Sequence, residues 1–184
     1  MAKQFPKLDP LHREFILRQR MFFTASAASD GRVNVSPKGL DTLRIVDDRC
    51  VVYLDLTGSG NETSAHLKRD GRLTLMFCSL EGAPLILRLY GRGRIVARGS
   101  PDYARYIDDA FSGNETAGAR HIVRLDIDLV QTSCGFGVPL FEYSGERPAL
   151  VQWAAKLGPE GLEAYRLEKN IRSIDGFPTG MLED

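Results

Sequence analysis

The hydrophobic positions of the chain recur at two spacings, and the spacing switches wherever glycine, proline or a pair of acidic residues interrupts it. Residues 10–20 (PLHREFILRQR) set Leu11, Phe15 and Ile16 on one helical face with charged residues opposite, behind the opening pair Asp9 and Pro10. An amphipathic helix is predicted there, placed to plug one end of the strand-rich region after it. Residues 22–28 are small and apolar, Asp30-Gly31 is a tight turn, and residues 32–37 alternate Val33 and Val35 against Arg32, Asn34 and Ser36. That is the pattern of a β-hairpin. A second hairpin is predicted from 43–46 through Asp47-Asp48 to 50–56, and a third pairs 73–77 with 85–97 around Glu81-Gly82. Gly91 and Gly93 inside that last strand read as barrel corners or places where another backbone comes close. Residues 101–111 bring Tyr103, Tyr106, Ile107 and Ala110 to helical spacing, while 122–130 (IVRLDIDLV) alternates as a half-buried strand. About seven strands in mostly antiparallel order, with few helices, favour a closed or partly open barrel of mainly β (α+β) class.

The other elements are organised around residues 51–67, VVYLDLTGSGNETSAHL. An apolar, β-branched run stops at Thr57-Gly58-Ser59-Gly60, and a helix opens behind Asn61, a good N-cap residue. The free N–H groups of a first helical turn attract an anion, and the Thr63 and Ser64 hydroxyls can add two hydrogen bonds, so a phosphate would fit. The same turn read structurally is a capped helix and nothing more. No Gly-Lys-Ser/Thr ending is present, which excludes a nucleotide P-loop, and the GxGxxG spacing fails at Thr63.

From Thr132 the texture changes. TSCGFGVPLFEYSGER is glycine-rich and aromatic, residues 149–170 are helical with a break at Gly158-Pro159, and 171–184 reads as a loop. Trp153 is expected to pack on an apolar face with Leu150, Ala154 and Leu157. The pentapeptide SGNET occurs at 59–63 and again at 112–116 without flanking similarity, so it reflects shared capping chemistry and not a duplication. A single domain is expected, made of an N-terminal helix (1–20), a core (21–131) and an extension (132–184).

Composition narrows the partners. The 184 residues are 43% apolar, enough for a substantial core, and 24 Lys plus Arg balance 24 Asp plus Glu, so no positive field is present to hold nucleic acid or an anionic membrane. The N-terminal residues lack the apolar core of a signal peptide, and no later run reaches the ~20 apolar residues of a membrane span, so a cytoplasmic protein is expected. Cys50 and Cys78 fall inside apolar strand patterns and read as buried, unpaired thiols. Cys134 sits in a tight Gly-Phe-Gly turn with no histidine placed to activate it. His12, His66 and His121 lack companions at metal-ligand spacing and read as surface or capping residues, so no metal is expected.

The hairpin ending Val35-Ser36-Pro37-Lys38, the strand feeding a small-polar loop and a short helix with Ala65-His66-Leu67, and the later strand over 85–96 together resemble the FMN-binding split β-barrel of the pyridoxamine 5′-phosphate oxidase-like family. The resemblance covers roughly Phe22 to Val130, and QTSCGFGVP with NIRSIDGFPTG resembles the C-terminal extension of one branch. It implies a homodimer with FMN in a groove at the interface. Its phosphate would lie on Asn61, Thr63 and Ser64, its ring over Ser36 and Pro37, and its ribityl chain against Asp55 and Leu56. The family's oxidases commonly carry Arg-Lys where this chain has Thr63-Ser64, so Lys38 and Arg88 are expected to supply the missing charge. Lys38 near the ring's pyrimidine edge would favour the reduced flavin. An FMN-dependent oxidoreductase acting on a small-molecule substrate or electron donor is the function implied. A flavin-binding module without turnover shares every one of these residues, and the superfamily also binds haem, which here would need His66 or His121 as axial ligand, or a deazaflavin.

Overall fold

The computed structural model describes residues 2–181. Its elements are β1 (Lys3–Phe5), α1 (Pro10–Arg18), β2 (Phe22–Ser26), β3 (Asn34–Lys38), β4 (Leu43–Ile45), β5 (Cys50–Leu56), α2 (Glu62–Arg69), β6 (Arg72–Cys78), β7 (Ile86–Ala97), α3 (Pro101–Phe111), β8 (Ala119–Ser133) and α4 (Ala149–Lys169). The strands form one antiparallel sheet in the order β3-β2-β6-β7-β8-β5-β4, with β1 added on β8. The sheet curls into a half-barrel whose two ends, β3 and β4, are not paired to each other.

Alternation decides which side chains fill the barrel. Tyr53, Leu75, Phe77, Leu87, Leu89, Val123 and Leu125 face inward and are almost fully buried, and Phe15 and Ile16 of α1 close one end, with His12 and not the expected Leu11, which is 73% exposed, completing the buried face. The opposite face of β5, β7 and β8 carries Cys50, Val52, Leu54, Val96 and Ile122, which α3 covers with Tyr103, Tyr106 and Phe111. The middle of the sheet is therefore buried on both sides. That explains why Cys50–Leu56 is apolar at nearly every position.

Gly91 and Gly93 have separate reasons. A Cβ at Gly91 would stand 1.9 Å from the carbonyl oxygen of Asp126, beside a β7–β8 register shift, so this glycine permits a bulge where the sheet bends. A Cβ at Gly93 would stand 2.8 Å from Leu67 and Leu73 side-chain carbons, so this one lets α2 settle on the sheet.

Several sequence expectations need correction. β1 carries too short a pattern to be read from periodicity, and β8 begins three residues before the apolar alternation does. Helix α4 breaks at Gly158 as expected, but its buried face is Ala154, Leu162 and Arg166. Leu150 and Leu157 are more than a third exposed, and Trp153 meets Tyr165 edge-on across the kink at 5.0 Å. His12 does cap α1, its Nδ1 accepting from the Asp9 N–H, whereas His66 and His121 are buried at 1% and 4% exposure and are not surface residues. Residues 171–181 are a loop apart from an Arg172–Pro178 bridge, and 182–184 lie outside the described residues.

Candidate functional site

Side chains link β3, one free end of the sheet, to β5, the strand next to the other end. Asp55 points from β5 into the mouth of the barrel, and Lys38 at the end of β3 places its ammonium 2.5 Å from Asp55 Oδ1 across the gap. The other oxygen, Oδ2, accepts from Arg120 Nε at 2.9 Å and Nη2 at 2.7 Å. Arg120 reaches it because the β5–β8 ladder skips that residue, pairing Asp55 with His121 and Leu56 with Ala119. A bulge of this kind re-aims one side chain, and here it turns a guanidinium back under the strand. His121 Nε2 lies 3.1 Å from Oδ2, close enough for electrostatic contact but not aligned for a hydrogen bond.

These contacts set the protonation states. Burial pushes the Asp55 carboxyl upward, but Lys38 and Arg120 outweigh it and hold the group well below the usual carboxylate range. His121 goes the other way: burial lowers its pKa despite the pull of Asp55, so the ring is neutral at neutral pH. Tyr53, whose ring lies 5.9 Å from the Lys38 ammonium, has its hydroxyl pushed well up by burial and then by the Asp55 charge.

In front of this network lies a cleft of about 440 Å³ between β3, the end of β5 and the first turn of α2. Ser36, Pro37, Lys38, Asp55, Leu56 and Thr63 line it, together with Asn34, Gly58, Ser59, Gly60, Glu62 and Arg120. Six of the nine positions picked out in the sequence therefore meet at one place. The remaining three do not line the cleft. Asn61 occupies the N-cap position of α2 without capping it; its Nδ2 donates to the Asn170 carbonyl at 3.3 Å, and its Oδ1 is buried without a hydrogen-bond partner among the described residues. Ser64 turns its hydroxyl to the Thr179 carbonyl at 2.8 Å. Arg88 stands on the outer face of β7 and donates to Ser133 at 3.2 Å. Of the two residues expected to supply charge for a phosphate, Lys38 lines the cleft paired with Asp55, and Arg88 faces outward in the same chain.

Two residues that sequence reasoning passed over, Arg120 and Asn170, hold the site together, beside His121, which the sequence placed at the surface or in a cap. Arg120 and His121 hide in the start of β8, before the alternation is readable. Asn170, fully buried, accepts from Arg120 Nη1 at 2.8 Å, donates to the Gly58 carbonyl at 3.0 Å, and lends its own carbonyl to Asn61 and Thr179. The usable signal was Asp55 itself: a carboxylate inside the apolar run VVYLDL requires a buried cation from elsewhere in the chain.

The family profile described as Pyridoxamine 5′-phosphate oxidase matches residues 8–134. The chain belongs to that family. A pyridoxamine 5′-phosphate oxidase family protein of Aspergillus flavus, ustO, is 40% identical over 182 residues, spanning 90% of this chain and 73% of the relative. HupZ of Group A Streptococcus has a similar fold, with a TM-score of 0.53 at 17% identity over 66% of this chain and 91% of its own. So does a candidate pyridoxamine 5′-phosphate oxidase of Lactobacillus delbrueckii, with a TM-score of 0.54 at 18% identity over 68% of this chain and 94% of that one. The half-barrel is therefore the split barrel of the pyridoxamine 5′-phosphate oxidase family, and Asn170 reaches its loop from beyond the segment that the profile matches. Among the described residues no helix is long and apolar enough to cross a membrane.

Proposed function

We propose that the chain is an FMN-dependent oxidoreductase of this family that transfers electrons to or from a small molecule and works as a homodimer. The observation that carries the reading is the cleft: the first turn of α2, which its N-cap side chain leaves uncapped, faces Ser36, Pro37 and Lys38 of β3 across a space of about 440 Å³. Flavin-sized ligands occupy clefts of about 300–1,000 Å³. The donors present suit the phosphorylated end of a flavin. They are the first-turn N–H groups, which have no intrahelical partner, and the Thr63 hydroxyl, whose neighbours Ser26 and Asn34 lie no nearer than 3.4 Å.

The charges modify that reading. Lys38 and Arg120 are balanced in the lining by Asp55 and Glu62, so the cleft offers hydrogen bonds but no net positive charge. Glu62, within that lining, accepts from the Ile174 N–H at 3.0 Å. Arg88 lies in a row of the outer sheet face, Pro37–Phe23–Met76–Arg88–Gln131, set by the strand register. Beside it Val35 is 60% exposed, so the row suits a second copy of the chain and would bring Arg88 to an interface.

Bound flavin would supply two-electron chemistry, and the protein's part is to orient it and set the charge beside it. Lys38, fixed by Asp55, would hold a proton donor at one edge of the ring. The buried His66 and His121 do not line the cleft, so neither offers an axial ligand to a haem placed there. The test is to purify the protein, record its absorbance, release any flavin by heat, and assay reduction by NADH and NADPH with reoxidation by oxygen. Yellow protein that turns over supports the reading. Colourless protein that cannot be reconstituted with FMN, or a monomeric mass by light scattering with FMN tightly bound, contradicts the cofactor or the dimer respectively.

A further inference from the structure

Behind Arg120 lies a second cavity of about 860 Å³, walled by α3, the end of β7, α4 and residues 179–181. Arg98, Arg120 and Arg166 all reach it, and they differ in what balances them. Arg120 is spent on Asp55. Arg98 forks onto Glu115 at 2.8 and 3.1 Å, and the Tyr103 hydroxyl donates to the same carboxylate. Arg166, only 9% exposed, has no acidic partner within ion-pair distance among the described residues. Its Nε donates to the Thr57 hydroxyl at 2.8 Å and its Nη2 to the Gly118 and Ala119 carbonyls at 3.3 and 2.9 Å, all neutral oxygens. Nη1 makes no hydrogen bond among the described residues, and the Arg166 side chain lines the cavity.

A buried guanidinium that meets only neutral acceptors is an unmatched charge, and burying one is costly unless a counter-charge arrives. Burial and the nearby charges of Arg98 and Arg120 push its pKa down, in the same direction. The wall also carries the exposed carboxylates of Asp108 and Glu163 and the polar Ser64, Tyr103, His121 and Thr179, and its apolar part is Ile95, Ile107, Pro159, Leu167 and Met181. We propose that this cavity binds a small monocarboxylate with an apolar body, its carboxylate seated on the open edge of Arg166. One unmatched charge suits a monoanion, not a phosphate dianion, and Nη1, the nitrogen without a hydrogen bond among the described residues, can donate to a carboxylate oxygen. Neither the cofactor nor the dimer is needed for it, so it stands apart from the flavin reading.

The experiment is isothermal titration of the full-length protein with hexanoate, hexanol and inorganic phosphate. Hexanoate should bind saturably, one per chain, and hexanol more weakly by roughly tenfold to a hundredfold, the range for losing a hydrogen bond to a charged group. Arg166→Gln should remove that preference for the acid. Because Arg166 also ties α4 to the loops after β5 and before β8, a second variant, Ala104→Trp, fills the cavity from an exposed position on α3 and should abolish hexanoate binding in a protein that folds normally. Equal binding of hexanol and hexanoate, unchanged hexanoate binding in either variant, stronger binding of phosphate, or no binding of hexanoate at millimolar concentration would overturn the proposal.

Discussion

The cleft in front of Asp55 and the cavity behind it share the Arg120 side chain, yet they handle buried charge in opposite ways. In front, one carboxylate is met by an ammonium and a guanidinium, with a neutral imidazole alongside, and Glu62 in the same lining brings the charges to balance. Behind, Arg166 is stabilised by three neutral oxygens and keeps an unmatched charge. Hydrogen bonds satisfy the geometry of a buried ion, but only an opposite charge compensates its desolvation. The front cleft is therefore built to stay in place when empty, and it offers a ligand directional donors. The rear cavity is built to take a charge.

The largest effect should come from breaking the front network at its centre. Asp55→Ala leaves Lys38 and Arg120 facing each other without a counter-ion and should cost about 3–5 kcal/mol in urea unfolding, the usual result of removing one partner of a buried pair. The pH dependence has a definite sign. His121 has a folded pKa below its usual 6.5, so the unfolded chain takes up the proton first and stability starts to fall as pH drops below about 6.5. Asp55 has a folded pKa well below 3.8, so its contribution is complete above the usual carboxylate range and is lost only in strong acid. Stability curves of the wild type and Asp55→Asn should converge as pH falls below about 4, and parallel curves would show that the pair does not act in the folded state.

Gly91→Ala should come next, at about 1–3 kcal/mol or more, since its Cβ would meet a backbone carbonyl that cannot step aside. If it unfolds like the wild type, the β7–β8 bulge is plastic and the bend of the sheet does not depend on this glycine. The smallest effect should be Arg98→Gln. The Arg98–Glu115 fork has the same chemistry as the Asp55–Arg120 fork, but Arg98 is half exposed, and the loss should stay below about 1 kcal/mol and shrink further in salt. An Arg98→Gln penalty equal to that of Asp55→Ala would erase the distinction between the two regions.

The barrel is legible in the sequence because its inward positions alternate with period two over long strands, and the α2 turn is legible because Gly58, Gly60 and Asn61 stop a strand. The hidden parts share one cause. Arg120 is placed by a bulge, a defect of register that no local pattern announces, and Asn170 reaches Gly58 across 112 residues. Asn61 looked like a cap because capping is local chemistry, but a partner in the C-terminal segment took its side chain instead. Ser64 was drawn away by Thr179 in the same manner. The C-terminal extension therefore selects which polar groups of the α2 turn remain available, leaving Thr63 and the backbone.

That makes Thr63 the place to test whether the first turn of α2 holds the phosphate of a flavin. In an isolated helix, Thr63→Glu is harmless or mildly stabilising, since a first-turn carboxylate complements the helix dipole by about 0.3–1 kcal/mol. Beside a bound phosphate the same carboxylate repels a dianion and should cost on the order of several kcal/mol of binding. The measurement is a paired titration of FMN and riboflavin into the wild type and Thr63→Glu. Thr63 is only 7% exposed, so the larger side chain should lower stability somewhat, and the expected result is a folded variant that has lost its preference for FMN while keeping most of its weaker affinity for riboflavin. Equal FMN affinity in the two proteins would contradict a phosphate site here and remove the flavin phosphate from this turn.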